Sequence, residues 1–353
     1  MIEELIDRYG DPAVLALAGA GIGLVFGAAA QRSQFCMRAA TVEIAEERAG
    51  PRLAVWLIAF FTALLAVQGA SAAGWIDLGA ARTLAATGSL SGAVIGGLMF
   101  GAGMILARGC AARLLVLASS GNLRALVTGL VVTLVAQSAY RGALSPAREY
   151  LAGLWTVPGG EGRDIAALLG VSPIVVTALA AAGVLAAMVL AMLRGLGLRY
   201  MLGAALVGLA VAGGWAATYA IAQVSFEVVP LSSVTFTGPA TDTLMVLVAQ
   251  REVELSFGIG LVPGVAVGAA LAAWIGGDWT IERFGPEAPM ERYLVGAVLM
   301  GFGAMLAGGC AVGAGMSGGS ALSLTAWIAV FCMWVGAVLT YRVTQMVGVH
   351  RAA

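Results

Sequence analysis

The sequence predicts an all-α membrane protein: about nine transmembrane helices, four short re-entrant helices and an inverted internal repeat. Three observations carry that expectation. Hydrophobic residues make up 60% of the chain and charged residues 11%, with a mean hydropathy of +0.95; soluble domains run about 45–50% apolar and about 25% charged. Several apolar runs reach about 20 residues, the length that crosses the hydrocarbon core. One such run occurs twice. A net charge of zero argues against a nucleic-acid partner, leaving the lipid bilayer as the large partner. The acidic start, Met1 to Arg8 with Glu3, Glu4 and Asp7, is not the basic leader of a signal peptide. The single histidine, His350, and four widely spaced cysteines give no metal site, redox motif or cofactor.

The repeated run is Gly96–Ala111, which aligns with Gly296–Ala311. Eight of the sixteen positions are identical, including Gly109/Gly309, Cys110/Cys310 and Ala111/Ala311. Composition alone gives roughly one or two matches in sixteen. In membrane proteins, an apolar segment broken at its end by Gly and repeated in both halves points to a site between the halves.

Nine spans are expected at 12–30, 52–73, 89–107, 122–140, 172–193, 199–222, 255–276, 291–307 and 321–345. Between some of them lie Phe35–Arg48, Cys110–Ser119, Val234–Val248 and Cys310–Gly319, too short or too polar to cross. They read as re-entrant helices, or else as amphipathic surface loops. Each half is then span, dip, span, span, dip, span, with residues 1–150 and 199–353 as the halves and 151–198 as the connector. Four spans plus one linking helix turn the second half upside down. The remaining pair of dips supports this, with Cys36 aligned to Phe236 and Ala40 identical to Ala240.

Arginine supplies every basic residue. Thirteen lie on one side of the expected topology and six on the other. Cytoplasmic flanks carry the excess, which places the N-terminus outside and the C-terminus in the cytoplasm.

The dips hold the chemistry. Cys36, Cys110 and Cys310, with the hydroxyls of Thr235 and Thr237, are expected to line one narrow path where the dips meet. Gly109, Gly308 and Gly309 beside the thiols permit tight turns and close approach of backbone to a ligand. Helix starts at such turns present free N–H groups to an anion, and Arg38, Arg108 and Arg113 would draw anions in. A neutral S–H is a weak donor, able to pass an anion along without holding it, and a soft sulfur suits a ligand that itself exposes sulfur. Each element also has a plain structural reading: buried cysteine as filler, glycine as helix packing, arginine as topology signal. Cys332, inside the last span, keeps the filler reading, and Gly96, Gly101 and Gly103 need only packing.

These residues resemble the YeeE/YedE family of bacterial membrane proteins. The resemblance rests on Phe35–Arg38, Gly109-Cys110, the Ser233–Pro239 stretch and, most specifically, Gly308–Gly318. It implies an hourglass-shaped inner-membrane protein, three cysteines along the route at Cys36, Cys110 and Cys310, and thiosulfate as the anion taken up. A cytoplasmic sulfur-carrier protein is then the expected protein partner. Related members are associated with selenium compounds, and the thiols do not separate the two. Arg108 departs from the internal symmetry, since its counterpart is Gly308. The expected function is therefore transport of an inorganic sulfur oxyanion, not catalysis. The rival is a membrane thiol oxidoreductase or sulfurtransferase using Cys110 and Cys310, which lacks a close cysteine pair in sequence and a histidine to activate a thiol.

Overall fold

The computed structural model describes residues 2–248, 254–283 and 289–347. Arg251, Arg351 and His350, which entered the counts above, lie outside the described residues. The chain begins with α1 (Ile2–Tyr9), α2 (Asp11–Ser33), α3 (Met37–Ala45) and α4 (Pro51–Ala72), then α5 (Arg82–Ala85) and the two-residue strand β1 (Gly88–Ser89). Next come α6 (Leu90–Leu106), α7 (Ala111–Ser119), α8 (Leu123–Arg141) and α9 (Ser145–Gly153). Strand β2 (Thr156–Val157), a 3-10 turn at Gly160–Arg163, α10 (Ile165–Leu169) and α11 (Pro173–Leu193) follow. The second half holds α12 (Leu198–Val224), α13 (Thr237–Val248), α14 (Phe257–Gly276), α15 (Met290–Ala307), a π-helical turn at Gly313–Gly318 and α16 (Leu324–Met346). Among the described residues, nine segments are long and apolar enough to cross a membrane, and each overlaps an expected span.

Local chemistry sets the helix ends. Proline sits in the first turn of α2, α4 and α11, where its missing N–H costs nothing. Ser89, Asn122 and Ser256 accept from the N–H groups of Gly92, Ala125 and Ile259, capping α6, α8 and α14. α11 is apolar nearly all round, with Leu179, Leu185 and Leu193 exposed as a lipid-facing surface requires.

The bundle is held by close backbone contact. α2 and α14 form a glycine zipper: a Cβ on Gly19, Gly23 or Gly27 would strike the carbonyls of Phe257, Leu261 and Val265. Gly260, Gly264 and Gly268 meet Ala16, Ala20 and Leu24 in return. Residue numbers rise together, so these helices are parallel. α6 and α15 cross at Gly96/Gly303 and Gly103/Gly296, where numbers run oppositely, so they are antiparallel. The offset of 200 residues converts the first of these contacts into the second. Such an exchange between antiparallel helices is a two-fold axis across the helices, the geometry of an inverted repeat. The flanking pairs obey it too: α2 with α14 answers α12 with α4, and α6 with α16 answers α15 with α8.

Two features go beyond the sequence reading. The fourth dip is not an α-helix but the π-helical turn Gly313–Gly318; glycine-rich backbone is held there by contacts from other helices. The connector also contributes a cap over one end of the bundle. β1 pairs antiparallel with β2. Arg163 donates to the Ala86 carbonyl at 2.5 Å and to the Thr325 hydroxyl at 2.6 Å.

Candidate substrate path

All four dips start in the same way. The carbonyls of Cys36, Cys110, Phe236 and Cys310 accept from the N–H groups of Ala40, Leu114, Ala240 and Ala314, at 3.3, 2.9, 2.8 and 2.8 Å. A cysteine thus opens three dips and Phe236 the fourth. Phe236 is buried and its ring centroid lies 5.2 Å from that of Phe26, so this position is filled by an aromatic plug instead of a thiol.

The structure brings the three thiols together. The Cys36 and Cys110 thiols lie close enough to act on one another, and Cys310 lies within electrostatic reach of Cys110. Cys110 and Cys310 are 1% exposed, and Cys36 is half-buried. Each sulfur faces the N–H three residues on. For Cys310 that is a hydrogen bond from Gly313 of 3.4 Å; Cys36 faces Ala39 and Cys110 faces Arg113. All four cysteines are free thiols. Cys332 stands apart on α16, its Cβ against Gly97 of α6, and serves as packing.

The turn before each Gly-Cys needs left-handed backbone. Gly308 has φ +78° with open space around it, so glycine is there for conformation. Arg108 holds the same turn at φ +55° with a side chain attached. Gly309 is different: a Cβ would lie 2.9 Å from the Ala314 amide nitrogen, while Gly109 meets only the Leu114 side chain at 3.3 Å. Thr235 packs its hydroxyl against Gly313, beside the Cys310 turn. Thr237 is buried, makes no hydrogen bond through its hydroxyl, and faces an apolar recess between α7, α8, α13 and α14 that Ala111 and Leu114 also line.

Helices outside the dips fix the π-turn. Ser317 donates to the Val234 carbonyl at 2.6 Å, Trp215 to that of Ser317 at 3.3 Å and Gln68 to that of Ser320 at 2.7 Å. Gln68 and Trp215 were not legible as site residues, because a lone polar group inside a span does not say which carbonyl it meets.

Positive charge gathers at one mouth, formed by the end of α6 and the starts of α8 and α15. Arg113 and Arg38 flank Cys36. Arg38, Arg108 and Arg292 lie within electrostatic reach of one another. Buried guanidinium nitrogens of Arg38, Arg108, Arg113 and Arg292 find no hydrogen-bond partner among the described residues, nor does the hydroxyl of buried Tyr293. Arg124 stacks on the Tyr293 ring at 5.0 Å. Arg292 and Tyr293 were missed in the sequence, where Arg292 read only as a topology charge.

Comparison with known proteins fits this arrangement. The family described as Sulphur transport matches residues 32–339. Thiosulfate transporter TsuA of Escherichia coli K12 is 26% identical over 346 residues, covering 91% of this chain and 92% of that protein. Thiosulfate transporter TsuA of Spirochaeta thermophila is 27% identical over 344 residues, covering 87% and 92%. With its dips, its paired Gly-Cys turns and most of its spans within the matched region, the chain belongs to the sulphur-transport, YeeE/YedE family of membrane proteins.

Proposed function

We propose that this protein carries thiosulfate across the bacterial inner membrane, the anion passing from thiol to thiol at Cys36, Cys110 and Cys310. The observation that carries the reading is the convergence of three free thiols at the starts of three dips, in a chain whose relatives are named thiosulfate transporters. A neutral hydrogen bond is worth about 1 kcal/mol net. Three such contacts in series guide an anion without trapping it, and the soft sulfur of each thiol meets the terminal sulfur of thiosulfate. Transport, not catalysis, is what these relatives are named for. The arginine excess orients the N-terminus outside and the arginine-rich mouth toward the cytoplasm.

The test is sulfur-limited growth of cells dependent on this protein, with thiosulfate, sulfate or cysteine as sole sulfur source, together with uptake of labelled thiosulfate and of selenium compounds. Growth restored on thiosulfate alone supports the reading. Uptake confined to selenium compounds would reassign the substrate, and no difference from cells without the protein would remove it.

A further inference from the structure

Four of the five arginines with unpartnered guanidinium nitrogens among the described residues gather at one mouth, and these four share a relation to the two-fold axis. Carried by 200 residues to their symmetry mates, Arg38 becomes Gly238, Arg108 becomes Gly308, Arg113 becomes Gly313, and Arg292, counted back, becomes Gly92. Glycine fills 50 of 353 positions, so four of four is well beyond composition. The exchange is not confined to the cluster, since Arg342 matches Gly142, while Arg32, Arg48 and Arg124 match Ser232, Val248 and Leu324. What sets these four apart is that they lie together with buried nitrogens left unpartnered. Two of the glycine positions are closed to side chains, since a Cβ would lie 2.4 Å from the Leu306 carbonyl at Gly92 and 2.3 Å from the Thr235 hydroxyl at Gly313. The halves thus differ at these four positions, arginine at one mouth and glycine at the other.

Arg108 makes the asymmetry costly. Its left-handed backbone strains any residue with a Cβ, and the twin turn uses glycine. Among the described residues no ion pair joins an acidic side chain to these charges; the pairs there involve Arg48, Arg148 and Arg342. On the opposite mouth the arginines have protein partners, Arg163 donating through both terminal nitrogens to Ala86 and Thr325, though its Nε is unpartnered, and Arg148 to the Ala139 carbonyl. A cluster of like charges, partly buried, unpaired and retained against backbone strain, is stable only when an anion completes it.

We infer that Arg38, Arg108, Arg113 and Arg292 form a binding station for a tetrahedral sulfur dianion, separate from the thiol constriction. The station reads charge and oxygen geometry, and the thiols read the exposed sulfur. Sulfate, which has the charge and the oxygens but no terminal sulfur, therefore binds at the arginine mouth and is not carried through. This deepens the transport reading and rests on it for the identity of the natural ligand.

The experiment uses the full-length protein purified in detergent, with inorganic sulfate as the probe, titrated calorimetrically against a chloride background. Arg108→Gly installs the twin's residue and relieves the strain, so it melts at or above the wild-type temperature, yet its sulfate affinity falls about tenfold or more, as expected for a lost charge-assisted contact. Arg292→Gln, which keeps a polar side chain without the charge, weakens sulfate in the same direction and serves should Arg108→Gly fail to fold. Cys310→Ala retains wild-type sulfate binding while thiosulfate uptake in cells slows several-fold. Absence of saturable sulfate binding by wild-type protein, or equal binding by folded Arg108→Gly and Arg292→Gln, overturns the station. Because binding is read on purified protein, a failure of thiosulfate-dependent growth removes the transport reading without touching this result.

Discussion

Gly103 and Gly296 face each other across the crossing of α6 and α15, each lying where the other's Cβ would strike its carbonyl, at 2.6 and 2.7 Å. Gly96 and Gly303 repeat the contact on the other side of the axis. In lipid, helices gain nothing hydrophobic by meeting, so van der Waals contact at small residues holds them.

Gly103→Ala forces α6 away from α15 and lowers the melting temperature, at an overpacking cost of about 1–3 kcal/mol. Gly21 of α2 has nothing within 4 Å, and Gly21→Ala is tolerated or mildly stabilising, since alanine is the better helix former. Equal melting of the two variants would deny the crossing its structural role.

The parallel α2–α14 and antiparallel α6–α15 pairs require spans that alternate in direction. Nine alternating spans put the ends on opposite faces. Reporter fusions at Gly10 and Val347 are expected to report opposite compartments, Gly10 outside. Both ends on one face would break the inverted symmetry.

Cys36→Ala, Cys110→Ala and Cys310→Ala each slow thiosulfate uptake several-fold, the effect of losing one contact of about 1 kcal/mol, and leave the protein folded. Cys332→Ala, a packing change on α16, leaves uptake near wild type. Serine at the three positions keeps a donor but not softness; restored uptake in the serine variants would show that hydrogen bonding alone suffices. Normal uptake in all three alanine variants would exclude the thiols from the route.

Arg163 ties the cap to the bundle through Ala86 and Thr325. Arg163→Ala removes the donor to the Ala86 carbonyl and to the buried Thr325 hydroxyl, a loss of about 1.5–3 kcal/mol for bonds to a charged group. A lower melting temperature in detergent checks it, and unchanged melting would show that the cap is not bound by this residue.

Glu46, at the end of α3, accepts hydrogen bonds from Tyr341 and Arg48. The Tyr341 hydroxyl first, and Arg48 after it, hold its carboxyl below the usual carboxylate range. A depressed value means that the tie stabilises the fold above the ordinary glutamate pKa of about 4.3 and is lost as pH falls through the lower folded value. Glu46→Gln should melt below wild type at pH 7, with the gap closing in acid. A gap independent of pH would sever it from the ionisation of Glu46.

Hydropathy runs, prolines at helix starts and the recurrence of Gly-Cys are local signals, and from them the sequence by itself determined the nine spans, the position of each dip and the inverted halves. It also held the arginine-to-glycine exchange, readable once Cys110 and Cys310 set the register. Tertiary structure alone decided which spans touch, because glycine contacts depend on the rotation of one helix against another and leave no periodic trace within either. It decided as well that Cys36 meets Cys110, that Phe236 fills the fourth thiol position, and that Arg292 joins Arg38 and Arg108. Those meetings join residues far apart in sequence, and the dips that bring them together take their form from hydrogen bonds donated by other helices, such as that of Gln68 to Ser320.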